Sequence, residues 1–192
     1  KTTTTSLVSS IFTAGNLDPT IINGGVLNSF GNSAKLGKSN WCVTESDESD
    51  GSFLKIPFTY SIATNLDSEH LDFYKNINNL KKSFLKFIEK IPSVGKSFIC
   101  NDDKNLKNVF IKSKNKNFYT YGKNKNSNFQ ITNIKQNTNF SNFDIKINIP
   151  SKKKIIKSIK LPMIGMHNIR NATAAVALAF TIGLPEKYIK AG

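Results

Sequence analysis

A lysine followed at once by threonines, "KTTTTS", heads a run in which Leu7, Val8, Ile11 and Phe12 recur at helical spacing and stop at Gly15. The helix macrodipole opposes a cation at this end by about 0.3–1 kcal/mol, and no Asp or Glu in the first turn offsets it. Such a start suits a negative ligand. The free N–H groups of a helix N-terminus bind phosphate, and a G-x-x-x-x-G-K-[ST] loop adds a lysine for the β/γ-phosphates and a hydroxyl for Mg²⁺. Lys1 and Thr2 match only the tail of that motif, whose glycines would lie upstream. A threonine-rich frayed terminus would read the same in isolation.

A second group of residues points the same way. Of 13 acidic residues, Glu45, Asp47, Glu48 and Asp50 fall within six positions, directly after the apolar run "WCV". A carboxylate at the carboxyl end of a strand, beside a phosphate loop, is where an α/β nucleotide site holds a divalent cation, because hard Mg²⁺ takes oxygen ligands. Glu45, nearest the strand, is the first choice as ligand; at least two of the other acids suit an ordinary acidic turn that caps a short helix. His70 in "TNLDSEHLDFY" follows another strand end, flanked by Asp67, Glu69 and Asp72. The second of the two histidines, His167, opens "HNIRN", where Asn168 and Asn171 share one side of a helical turn. Asn amides pair with the N6/N7 edge of adenine and an imidazole packs on the ring, although Asn168 also suits a plain helix cap.

The elements that must carry these residues alternate. "LDPTIINGG" reads as a short strand centred on Ile21 and Ile22 and bracketed by Pro19 and the double glycine. "NWCV", "FTYSIATN" and "KSFIC" read as buried strands. Residues 80–91 form an amphipathic helix, and "DDKNLKNVFIKS" a shorter one. Helices between solid apolar strands predict an α/β fold with a mostly parallel sheet. From about 117 to 160, "FYTYG", "NFQITNIKQN", "NFDIKINIP" and "IIKSIKLP" alternate apolar and polar residues, which predicts a small antiparallel β subdomain. An Ala-rich helix follows "HNIRN" and closes near Gly183, with a further helix starting at Pro185.

The formal charge of +14 invites a polyanion partner, yet Arg170 is the single arginine among 27 basic residues. Readers of bases and phosphates lean on the planar fork of arginine, whereas Lys, Asn, Ile and Phe together reflect A/T-rich codons. No run approaches the ~20 apolar residues of a bilayer span. Cys42 and Cys100, both in apolar strand-like runs, read as buried reduced thiols of a cytosolic protein, and without a C-x-x-C pair a zinc site is not indicated. A chain that begins at Lys rather than Met reads as a piece of a longer one.

Taken in order, "KTTTT", "LDPTIINGG", "TESDESDGSF", "TNLDSEHLDFY" and "HNIRNATAAVA" resemble the central, ATP-binding domain of the Mur ligases along the whole chain. The resemblance implies a P-loop-like α/β domain flanked, in the family, by an N-terminal UDP-binding and a C-terminal amino-acid-binding domain, so that this piece alone would be an incomplete enzyme. It implies ATP-driven joining of L-alanine to the lactyl carboxylate of UDP-N-acetylmuramate through an acyl phosphate, in the bacterial cytoplasm. On this sequence, Lys1 would bridge the β- and γ-phosphates, with Thr2 on Mg²⁺ and Thr3 beside the α/β region. Glu45 would ligate one Mg²⁺ and His70 a second metal. Asn23, Gly24, Gly25 and Asn65 would approach the UDP-sugar, while His167, Asn168 and Asn171 would hold the adenine. The family's Pro-Gly before the His-Asn pair reads Ile164-Gly165 here. Two other readings stay open at this point: a sibling acid–amino-acid ligase of the murein-peptide or folylpolyglutamate kind, and a non-catalytic basic nucleic-acid-binding domain.

Overall fold

The computed structural model of the protein describes residues 1–27 and 32–192, and its elements fall close to where apolar periodicity puts them. Helix α1 (Thr2–Ala14) leads to strands β1 (Thr20–Leu27), β2 (Asn32–Lys35) and β3 (Cys42–Thr44), and then to a 3-10 turn (Ser52–Leu54). Strand β4 (Tyr60–Ala63), helices α2 (Leu71–Tyr74) and α3 (Ile77–Glu89), strand β5 (Lys96–Cys100) and helix α4 (Lys104–Phe110) follow. The chain continues through β6 (Phe118–Gly122), β7 (Phe129–Gln136), β8 (Ser141–Ile149) and β9 (Lys152–Leu161), and ends with α5 (Met166–Thr181) and α6 (Glu186–Ala191).

The strands form two sheets. Six of them run in the order β4-β5-β6-β7-β8-β9, parallel through the first three pairings and antiparallel in the last two. The other three form a mixed sheet in which β1 pairs antiparallel with β2 and parallel with β3. Ser97, Phe98, Ile99 and Cys100 of β5 are all buried, because α4 packs on that strand and so does α5. From Ala172 to Ala179 every residue of α5 is buried, and the small alanines let it lie close against both the sheet and α1. Caps follow simple chemistry: the Asn76 side chain accepts from Asn79 N–H (3.0 Å) at the start of α3, and Asp103 accepts from Leu106 N–H (2.7 Å) at the start of α4.

Three sequence expectations change. The stretch Phe118–Gly122, expected to be antiparallel, pairs parallel with β5, and the antiparallel strands β7 to β9 prolong the main sheet. Period-two alternation reports which face is covered and says nothing of strand direction. The Asn23-Gly24-Gly25 triplet lies inside β1 instead of closing it. Cys42, expected to be buried, is exposed, because among the described residues β3 pairs on one side only; Cys100 is buried as expected.

Two features of this architecture position the site. Strands β4, β5 and β6 are mutually parallel, so Asn65, Asp102 and Lys123 all follow strand ends on one edge of the sheet. Asp102 accepts from Lys123 N–H (2.9 Å), Asn124 N–H (3.1 Å) and Arg170 Nε (2.8 Å), which pins the first turns of α5 to that edge. At its other end α1 meets the chain just beyond α5: a Cβ on Gly15 would lie 2.7 Å from Leu184. The two packed helices therefore point the same way, and both N-termini face the carboxyl edge.

The two sheets share no backbone ladder among the described residues. Trp41, just ahead of β3, stacks on Tyr60 of β4 (5.9 Å, 28°) and receives Phe12 of α1 edge-on (5.1 Å, 79°).

Candidate functional site

Lys1 caps α1 without offering a side-chain acceptor, and the chain resolves that unfavourable charge from outside the helix. Its ammonium contacts Asp47 Oδ1 at 2.9 Å and Glu48 Oε2 at 2.7 Å. Burial alone would depress the Lys1 pKa, but its bonds to Glu48 and Asp47 outweigh that and raise it. The first intrahelical bond is Thr5 N–H to Lys1 O (3.1 Å), so the N–H groups of Thr2, Thr3 and Thr4 precede it at the helix mouth.

Beside the lysine, Glu45 directly follows β3 and bridges three segments. One carboxylate oxygen accepts from Thr2 Oγ1 (3.2 Å) and the other from Gly24 N–H (2.9 Å). The β1 backbone passes this pair at a distance only glycine allows without adjustment: a Cβ on Gly24 would sit 3.0 Å from Glu45 Oε2, and one on Gly25 3.2 Å from Thr2 Cγ2. Asn23 donates to Ser6 Oγ (3.3 Å) and is 6% exposed, and its buried Oδ1 has no partner, nor does Ser46 Oγ. Buried polar atoms are usually paired, and Thr4 Oγ1 and Ser9 Oγ of α1 share this lack of a partner.

His70 completes the cluster. It adopts a left-handed backbone (φ 56°) at the start of α2, and its ring nitrogens lie with Asp47 and Glu48 so that one ligand atom from each is within 4.8 Å of the others. Lys1, Thr2, Gly24, Glu45 and His70 are thus gathered in one place. Thr3 follows in the same turn of α1 and is half-buried. Asn65 stands at a strand tip on the same edge, but its bonds are local: it donates to Asp67 Oδ2 (2.6 Å) and accepts from Thr64 Oγ1 (2.9 Å).

His167, Asn168 and Asn171 form a separate locus at the mouth of α5. Asn168 is not the cap, which is Gly165; its amide reaches back to Ile164 O at 2.8 Å. Gly165 has a φ of +94°, and a Cβ there would lie 2.8 Å from the His167 ring, so both backbone and space demand glycine.

Asp47 and Glu48 do more here than an acidic turn requires. Asp47 does serve the turn, accepting from Ser49 N–H at 2.9 Å, and Asp50 does likewise for Ser52 N–H, also at 2.9 Å. Both Asp47 and Glu48 nevertheless also face Lys1. The Lys1 hydrogen bond, helped by Ser49 N–H, lowers the Asp47 pKa to about 2. A depressed carboxylate stabilises the fold above its ordinary pKa of 3.8 and loses that contribution as pH falls towards 2. In a carboxyl ¹³C NMR titration, Asp47 therefore stays ionised down to pH 3, and Lys1→Ala moves its midpoint back towards 3.8. A midpoint already near 3.8 in the unaltered protein would mean that the ion pair does not form.

Comparison with known proteins follows this geometry. The family described as Mur ligase middle domain matches residues 1–179. A protein of Pelagibacter ubique named UDP-N-acetylmuramate--L-alanine ligase is 61% identical over the whole chain, which covers 42% of that relative. A protein of the same name from Caulobacter sp. is 42% identical, again over the whole chain and 41% of the relative. Among solved structures, the UDP-N-acetylmuramate-alanine ligase MurC of Thermotoga maritima superimposes with a TM-score of 0.82 at 24% identity, over 98% of this chain and 41% of that one. MurF of Acinetobacter baumannii gives a TM-score of 0.75 at 20% identity, over 98% and 42%. These structural likenesses speak to the fold, and the chain spans about two-fifths of each of these four proteins.

Proposed function

The chain belongs to the Mur ligase family, and on that premise we propose that it supplies the nucleotide site of an ATP-dependent ligase joining L-alanine to the lactyl carboxylate of UDP-N-acetylmuramate. The observation that carries this reading is the convergence of Lys1, Thr2, Glu45 and His70, drawn from three separate segments, on one point at the carboxyl edge.

The residues present fit a magnesium nucleotide. Hydroxyl and carboxylate oxygens from Thr2 and Glu45 are the donors hard Mg²⁺ prefers, and at Gly24 and Gly25 the strand sets no side chain against the Thr2–Glu45 pair. In this reading Lys1, Thr2 and Thr3, at the positive end of α1, hold the phosphates. Thr2 and Glu45 hold one Mg²⁺, and His70, with Asp47 and Glu48 beside it, a second. His167, Asn168 and Asn171 take the adenine, on an α5 mouth that faces the same edge. Asn23, with its unpartnered Oδ1, and Gly24, Gly25 and Asn65 face the UDP-sugar. When bound, magnesium ATP supplies the phosphoryl group that turns the carboxylate into an acyl phosphate open to attack by the amine. The protein's own part is electrostatic: an ammonium and fixed dipoles aimed at a place where negative charge gathers. The flanking domains of the family would complete the substrate sites. The exposed thiol Cys42 and the buried thiol Cys100 are both unpaired, which fits the reducing bacterial cytoplasm, and no helix among the described residues is long and apolar enough to cross a membrane.

The test uses the full-length protein. ADP release should require both UDP-N-acetylmuramate and L-alanine, with D-glutamate or a preassembled peptide giving no comparable rate. Preference for a peptide would reassign the protein to a sibling ligase, and tight, salt-sensitive binding to nucleic acid without turnover would overturn the reading.

A further inference from the structure

The acidic turn that carries Asp47 and Glu48 has two kinds of hold on its surroundings. Within the turn the bonds are local, and the Glu48 carbonyl accepts from Gly51 N–H at 3.2 Å. Across space, Lys1 grips both carboxylates, and Tyr74, 5% exposed, donates its hydroxyl to the same Glu48 carbonyl. The grip of Lys1 is exchangeable, because in the reading above that ammonium turns to phosphate. The grip of Tyr74 involves no group that the nucleotide would claim.

Tyr74 is equally tied to the histidine. The N–H groups of Phe73 and Tyr74 both donate to His70 O at 3.1 Å, so one tight turn carries the imidazole at its start and the phenol at its end. Asn79 fixes the far side by donating to Tyr74 O at 2.9 Å. Phe73 lies on the acidic turn as well: a Cβ on Gly51, whose φ is +74°, would be 3.2 Å from its ring.

We propose that Tyr74 is a positioning residue for the divalent-cation site, its hydroxyl holding Glu48 and Asp47 at a fixed distance from His70 while Lys1 is engaged with nucleotide. This rests on the functional reading given above. Groups that orient metal ligands from behind commonly change metal affinity by about 10–100-fold when removed, whereas loss of one neutral hydrogen bond costs the fold little. Affinity and stability should therefore separate.

The experiment is Tyr74→Phe in the full-length protein, which keeps the packed ring and removes only the donor. Mn²⁺ binding is followed by the EPR signal of the free ion in the presence of ADP, and the Mg²⁺ dependence of turnover is measured alongside. Tyr121→Phe is the control, since its fully buried hydroxyl donates to Ala63 O at 3.2 Å, away from the acidic turn. Tyr74→Phe should weaken Mn²⁺ by about tenfold and raise the KM for Mg²⁺ in step, leave the KM for L-alanine unchanged, and melt no lower than Tyr121→Phe. An Mn²⁺ affinity within about twofold of the unaltered protein, or an equal loss in Tyr121→Phe, would overturn the proposal. If Glu48→Gln and His70→Ala also leave Mn²⁺ binding untouched, the site assignment itself fails; if they weaken it and Tyr74→Phe does not, only the role of Tyr74 fails.

Discussion

Glu45→Ala in the full-length protein abolishes magnesium-dependent ligation, lowering kcat by about a thousandfold or more while the fold stays intact. The carboxylate joins the α1 mouth, through Thr2, to the β1 backbone, through Gly24. It stands directly beyond a strand end, where its position is set by backbone pairing: Glu45 N–H donates to Ile22 O at 2.9 Å. Removing it takes one negative charge from the proposed cation site and frees the Gly24 N–H and the Thr2 hydroxyl. Both are accessible enough to be taken up by water, so the stability cost is about 1 kcal/mol or less. Glu45→Gln separates charge from hydrogen bonding. An amide oxygen can still accept from Gly24, yet it is a poor magnesium ligand, and activity should remain lost. Coupled ADP release and a thermal melt on the same samples check the result, and turnover at the unaltered rate in Glu45→Ala would remove this residue from the mechanism.

Lys1→Ala has the second large effect, a fall in kcat of about 10²–10³ with weaker nucleotide binding. The raised Lys1 pKa, set by its bonds to Glu48 and Asp47, keeps the ammonium charged throughout the neutral range while those bonds hold. Lys1→Arg should not restore the rate, because a planar fork cannot replace a compact charge in a cradle built around a short reach. The measurement is kcat against KM for ATP, with Asp47 followed as an internal reporter of the lost partner. Full rescue by arginine would show that charge alone, without its placement, is what the site uses.

Much of this was readable from residue types. Glu45 and His70 stand out because acids and histidines are scarce in a lysine-rich chain and each follows a strand end, and Lys1 because it sets a cation at a helix start. Asp47 and Glu48 were harder. An Asp two residues before a Ser has a sufficient local explanation as a turn, and the contact to Lys1 joins residues 46 positions apart, which no local pattern encodes. Arg170 was conspicuous as the single arginine, but its partner Asp102 lies 68 positions away. Tyr74 gave no signal, since an aromatic residue in a polar loop reads as packing whether or not its hydroxyl has work to do. The direction of β6 is not legible in the sequence, because a strand's pattern of buried faces is the same in both orientations.

The absence of a common ladder between the two sheets has a mechanical meaning for the chemistry. Glu45 and Gly24 ride on the three-stranded body, His70 and Asn65 on the six-stranded one, and the seam between them is closed by the packing of Trp41, Tyr60 and Phe12. Side-chain packing yields more readily than a hydrogen-bonded sheet, and local openings follow the weakest contacts first. The proposed site therefore straddles a seam held by side chains, Tyr74 on Glu48 among them, and its alignment can change while each sheet on either bank remains whole.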